Sequence, residues 1–82
     1  MQPVLDVDTE ADAGYVTLRE GSVARTDQFS DSVLVDVDNA GIPVGIEILT
    51  LAADVDVDGI VTRYNIPEIR DGLRNALGRA HR

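Results

Sequence analysis

Aspartates at positions 54, 56 and 58, followed by Gly59, open the string DVDVDGIVTRYN (residues 54–65) in the pattern of a calcium loop. Such a loop supplies oxygen ligands from its first, third and fifth residues, bends at a glycine in the sixth, and closes with a bidentate glutamate in the twelfth. Val61 fits the usual apolar position and Thr62 the ninth, but the twelfth residue is Asn65, which offers one neutral oxygen in place of two charged ones. A calcium loop also needs an entering helix, and TLAA (residues 50–53) is too short for one. The same letters begin a helix with nothing missing. Asp56 as N-cap accepts from free first-turn amides, Asp58 sits near the positive end of the helix dipole, and Val55 packs against Ile60. Asn65 then ends the helix in the left-handed conformation, with Ile66 folding back on Val61. Gly59 is the weakness, costing about 1 kcal/mol relative to alanine inside a helix. A third reading continues the preceding strand through VDVD. The helix start accounts for the most residues, with the calcium loop at 54–65 as an alternative.

Four other features invite a chemical reading. Asp12, Asp36 and Glu47 can meet on the less apolar face of a sheet, where a desolvated carboxylate pair can do acid/base work, although acids on an outward strand face are ordinarily just solvated. Arg70 and Arg74 lie in a tail whose rhythm, VDGIVTRYNIPEIRDGLRNAL, is that of a helix-turn-helix. Its spacing departs from that motif, because the residue five beyond Ile66 is Asp71, and the apolar residues are Ile69 and Leu73. The single histidine, His81, is next to last, so a histidine-based triad or metal cluster has no footing. GIPVG (residues 41–45) lacks the lysine and following helix of a phosphate loop. No catalytic, cofactor-binding or metal-ligating residues are assigned, and an enzyme is not expected.

The elements that position these residues follow from periodicity. From Val4 to Leu51 apolar residues alternate between short turn signals, giving strands at Val4–Asp8, 14–19, 23–29, 32–38 and 42–49. Val16 and Leu18 share one face, as do Val33, Val35 and Val37, and again Val44, Ile46 and Ile48. The third strand is the most polar and suits an edge. Pro43 fits a strand start. Val57, Ile60, Val61 and Tyr64 then recur at helical spacing, and Ile66, Ile69, Leu73, Ala76, Leu77 and Ala80 repeat it after Asn65 and Pro67. The expected fold is α+β: a five-stranded antiparallel β-meander (1–51) covered by two C-terminal helices (52–82), in one domain.

Segments VDTEADAGYVTL (7–18) and VLVDVDNAGIPVGIEIL (33–49) resemble domain-of-unknown-function family 2283, small prokaryotic proteins with an aspartate-rich hairpin ending in GIEIL. Asp8, Asp12, Tyr15, Asp36, Asp38, Gly41, Gly45, Ile46, Glu47 and Ile48 carry the likeness over residues 4 to 51. Val7 and Gly14 stand where that family has tyrosine and leucine. The resemblance implies the sheet and no activity.

The chain of 82 residues has net charge −8 and no cysteine, which removes disulfides and thiolate chemistry. Thirteen acids against Arg19 and Arg25 make residues 1–62 an acidic body, and Arg63, Arg70, Arg74, Arg79 and Arg82 make the tail basic. Nonspecific attraction to nucleic acid or anionic lipid is disfavoured. No apolar run spans a bilayer and no signal peptide is evident, so a cytoplasmic location is expected. A core this thin profits from self-association. Tyr15, Leu34 and Leu49 on the second sheet face offer a surface. The expected role is a noncatalytic protein-protein interaction module, homodimeric, with an unknown protein partner and no membrane partner; the DNA-binding alternative rests on the helical tail.

Overall fold

The computed structural model describes residues 2–78, so Arg79, Ala80, His81 and Arg82 lie outside the described residues. Alternation produces five strands: β1 (Val4–Asp8), β2 (Ala13–Thr17), β3 (Arg25–Ser30), β4 (Val33–Val37) and β5 (Pro43–Ile48). They form one antiparallel sheet, and helices α1 (Val57–Tyr64) and α2 (Arg70–Gly78) follow. A 3-10 turn at Pro67–Ile69 leads into α2, so the second helical run starts later than its apolar spacing implied. The fold is α+β, as its patterning required.

The connectivity is not the simple meander. Strand order is β1-β2-β5-β4-β3, with β5 inserted between β2 and β4. The physical reason lies in how much of each strand must be covered. Both faces of β5 are largely buried, a condition met only at the centre of the sheet. The polar β3, which alternates exposed and half-buried residues, would waste a central position and takes an edge, as its composition predicted. Residues 18–24 therefore carry the chain past β5 and β4. Leu18 N–H still reaches Val44 O at 2.9 Å, and Ala24 N–H reaches Val37 O at 2.8 Å, so both ends of that crossing stay tied to the sheet.

Val16, Val33, Val35, Val37, Ile46 and Ile48 line the covered face and pack with Ile60, Val61, Leu73 and Leu77 from the helices. The helices thus exist because they close this face. Two polar clamps hold the sheet's loops. Asp12, in the left-handed region at φ 53°, accepts from Thr50 Oγ1 at 2.7 Å and Leu51 N–H at 3.2 Å, tying the β1–β2 turn to the chain beyond β5. Asp38 accepts from Ala40 N–H at 2.9 Å and Ile42 N–H at 3.0 Å and pairs with Arg19; the Ile42 amide, more than the guanidinium, lowers its pKa.

The string at 54–65 resolves into a helix start. Asp56 is the N-cap, its Oδ1 accepting from Gly59 N–H at 3.0 Å, and Asp58 occupies the first turn. Asn65 ends α1 at φ 54°, ψ 52°, and Ile66 N–H reaches back to Val61 O at 3.0 Å. The calcium-loop and strand-extension readings give way, because residues 57–64 wind as a helix and cannot also coil around an ion. Gly59, the flaw in the sequence argument, has a reason: a methyl there would run into the capping carboxylate of Asp56 and stand 3.0 Å from Phe29 Cζ. Asp56→Ala should lower stability by about 0.5–2 kcal/mol in urea titrations, equally with calcium and with chelator, since the lost bond is to a backbone amide. Calcium-dependent stabilisation of the unmutated chain, abolished in Asp56→Ala, would contradict this account.

Candidate functional site

The sheet face opposite the helices gathers the polar residues whose types could do chemistry. Register places Tyr15 of β2 opposite Glu47 of β5, and Glu47 opposite Leu34 of β4. One pair further along, Gly45 of β5 lies opposite Asp36 of β4, which in turn lies opposite Thr26 of β3. Tyr15 reaches across β5 because Gly45 has no side chain; a methyl at that position would coincide with the phenol oxygen. A glycine inside a central strand commonly marks such a close approach.

The phenol donates to Asp36 Oδ2 at 3.0 Å, and Thr26 Oγ1 donates to Asp36 Oδ1 at 2.6 Å. Both oxygens of Asp36 are thereby engaged, and the residue is only 7% exposed. Burial, reinforced by the Asp36 carboxylate, pushes the Tyr15 hydroxyl up to about 12. Glu47 also has its pKa raised, first by burial and then by the charge and side-chain hydrogen bond of Asp36. Glu47 and the Tyr15 phenol, gathered around Asp36 in one compact network, thus both hold their protons more tightly than in water.

Of the three carboxylates expected to converge, the structure brings together Asp36 and Glu47 and places Asp12 in its turn clamp. Tyr15 and Thr26 were not anticipated as partners of Asp36. Gly45 beside a two-faced strand was the available signal. As an acid/base device the cluster has a defect: the phenol and the threonine point into Asp36, occupying the lone pairs a reactant would need. The arrangement fixes the sheet's outer surface. Beside Tyr15 it leaves a depression of about 320 Å³, bordered by Asp6, Asp8, Glu47 and Leu49.

The helical tail holds the other sequence candidates. Arg74 Nη2 lies 2.7 Å from Asp58 Oδ2, and Arg70 Nε lies 3.0 Å from Asp58 Oδ1. Arg63 stacks its guanidinium 5.4 Å from the Tyr64 ring centroid and 5.9 Å from that of Phe29. Tyr64 in turn donates to Asp27 Oδ2 at 2.8 Å, joining α1 to β3, and burial pushes its hydroxyl up to about 12. The arginines on which the DNA-binding alternative depends are therefore turned toward the start of α1. Asp54, Asp56 and Asp58 border a depression against α2, but among the described residues no three acidic or histidine side chains group closely enough to hold a metal ion. No helix among the described residues is long and apolar enough to cross a membrane.

With this geometry in place, comparison with known families is decisive for the sheet. A family model described as "Protein of unknown function (DUF2283)" matches residues 5–51. The chain belongs to the DUF2283 family. The DUF2283 match runs from β1 to just past β5, so it takes in Tyr15, Thr26, Asp36, Gly45 and Glu47 and stops short of α1 and α2. No curated protein and no solved structure matches the chain.

Proposed function

We propose that this DUF2283 protein is a noncatalytic interaction module that acts in the cytoplasm as a homodimer and receives a protein partner on the open face of its sheet. One observation carries the reading: around a network whose polar atoms satisfy one another, the open face leaves Val4 and Leu49 about half exposed, and Leu34 only partly covered. Apolar side chains grouped around satisfied polar ones are the composition of a docking surface. The DNA-binding alternative would require Arg70 and Arg74 to exchange Asp58 for phosphates, on a chain whose net charge is −8. Self-association is supported by the thin core of an 82-residue chain.

Light scattering at micromolar concentration should return the mass of a dimer; a monomer throughout that range overturns the homodimer. A tagged chain should retain a co-purifying protein that Leu34→Glu releases while its circular dichroism is unchanged. Equal retention by both chains counts against the open face as the docking surface.

A further inference from the structure

The two edges of the sheet are not equally protected. β3 carries a register shift between Gln28 and Ser30, the Arg25–Asp27 ion pair, and Phe29 beneath Arg63. Bulges and charge pairs of this kind discourage further strand pairing. β1 has no such break: all five of its residues pair in regular register with β2, from Val4 opposite Thr17 to Asp8 opposite Ala13. Its other side is a row of backbone donors and acceptors with no neighbouring strand.

The side chains of β1 state what could pair there. On the face shared with Leu34 and Glu47 stand Val4, Asp6 and Asp8; on the helix-covered face stand Leu5, which packs on the core, and Val7, about half exposed. Asp6 and Asp8 border the depression beside Tyr15 and Glu47, and no arginine lines it. Among the described residues no cation pairs with either aspartate. A second acidic β1 would set its aspartates against the same carboxylate-rich surface, and like charges across strands are destabilising. A cationic strand meets the opposite condition.

We infer that the β1 edge accepts an extended segment of a basic protein, in which lysine or arginine alternates with apolar residues, as a sixth strand of the sheet. Its basic side chains lie over Asp6 and Asp8 and reach the depression beside Glu47, and its apolar side chains continue the row of Leu5 and Val7. Main-chain bonds supply affinity and the alternation supplies specificity, as in other cases of strand addition. The inference rests on the interaction-module reading and names the chemistry of its partner.

The test uses the full chain and a synthetic peptide of four lysine-valine repeats, followed by fluorescence anisotropy and amide chemical shifts. Controls are a glutamate-valine peptide and a lysine-valine peptide N-methylated at every residue, which keeps its charge but has no amide donor on either edge to complete a ladder. Shifts should concentrate in residues 4–8 and 13–17, and both controls should fail to bind. Asp6→Asn and Asp8→Asn should each weaken binding by roughly two- to fivefold. Asparagine at position 8 keeps the oxygen that accepts from Glu10 N–H and Ala11 N–H, so the turn survives. Equal binding of the N-methylated peptide overturns the inference, since attraction alone then explains it. So does absence of binding, or peptide that binds only by splitting a dimer joined through β1. If these β1 tests fail while Leu34→Glu still releases the co-purifying protein, the strand inference falls and the interaction module stands.

Discussion

Leu73→Ala should remove about 2–5 kcal/mol of folding stability, the usual cost of truncating a fully buried leucine. Leu73 is 0% exposed and joins α2 to the cluster formed by Ile60, Val61 and the valines of the sheet. A chain of 82 residues has roughly 4–12 kcal/mol of stability in all, so one such cavity consumes a large share of it. Urea titration followed by circular dichroism measures the loss. Arg74→Ala, at the neighbouring position, is the control: it removes only an exposed ion pair with Asp58 and should stay within about 1 kcal/mol of the unmutated chain. If Leu73→Ala is as mild as Arg74→Ala, the helices do not complete the core. They would then be free to be a separate reading head, as the DNA-binding alternative needs.

Gly45→Ala is the second large effect, and it acts on the opposite face. The added methyl coincides with the Tyr15 hydroxyl, so either the phenol swings out or β5 shifts within the sheet. Phenol displacement removes one of the two donors that satisfy Asp36 and uncovers its carboxylate. Overpacking and loss of a buried hydrogen-bond partner together should cost about 1–3 kcal/mol. Because both defects pass through Tyr15, the double variant Tyr15→Ala with Gly45→Ala should be more stable than the sum of the single losses predicts, with coupling of roughly 0.5–3 kcal/mol. Strict additivity in the same urea titrations would show that the two residues do not compete for that space.

Face assignments were mostly legible in the sequence because they depend on parity: Val33, Val35 and Val37 share the covered face with Ile46 and Ile48, whereas Val44, expected beside them, is buried outside that cluster because a register shift sets Pro43 opposite Val37. The bounds of β1 were legible too, Val4–Asp8 both by alternation and in the structure. Strand neighbours were not. Alternation says which way a side chain points and nothing about which strand lies beside it, so the insertion of β5 next to β2 was hidden. At the candidate site the acids were visible, but Asp36 read as a solvated outward residue when Tyr15 in fact roofs it. That contact spans residues 15 and 36, and local pattern does not record such distances. Asp56 and Asn65, whose effects stay within one helical turn, were legible in full.

Pairing β2 with β5 also orders the events of synthesis. As the chain leaves the ribosome, the β1–β2 hairpin is complete some thirty residues before the strand that must lie against Val16 has been made. β3, β4 and β5 can zip sequentially through short turns, whereas the hairpin must wait and dock as a unit. The loop it closes is long, though its entropic cost grows only logarithmically, by about 0.6 kcal/mol per doubling. Until that closure the nascent chain displays an open strand on each of two half-sheets. Those are the surfaces that a chaperone or a neighbouring nascent chain meets first.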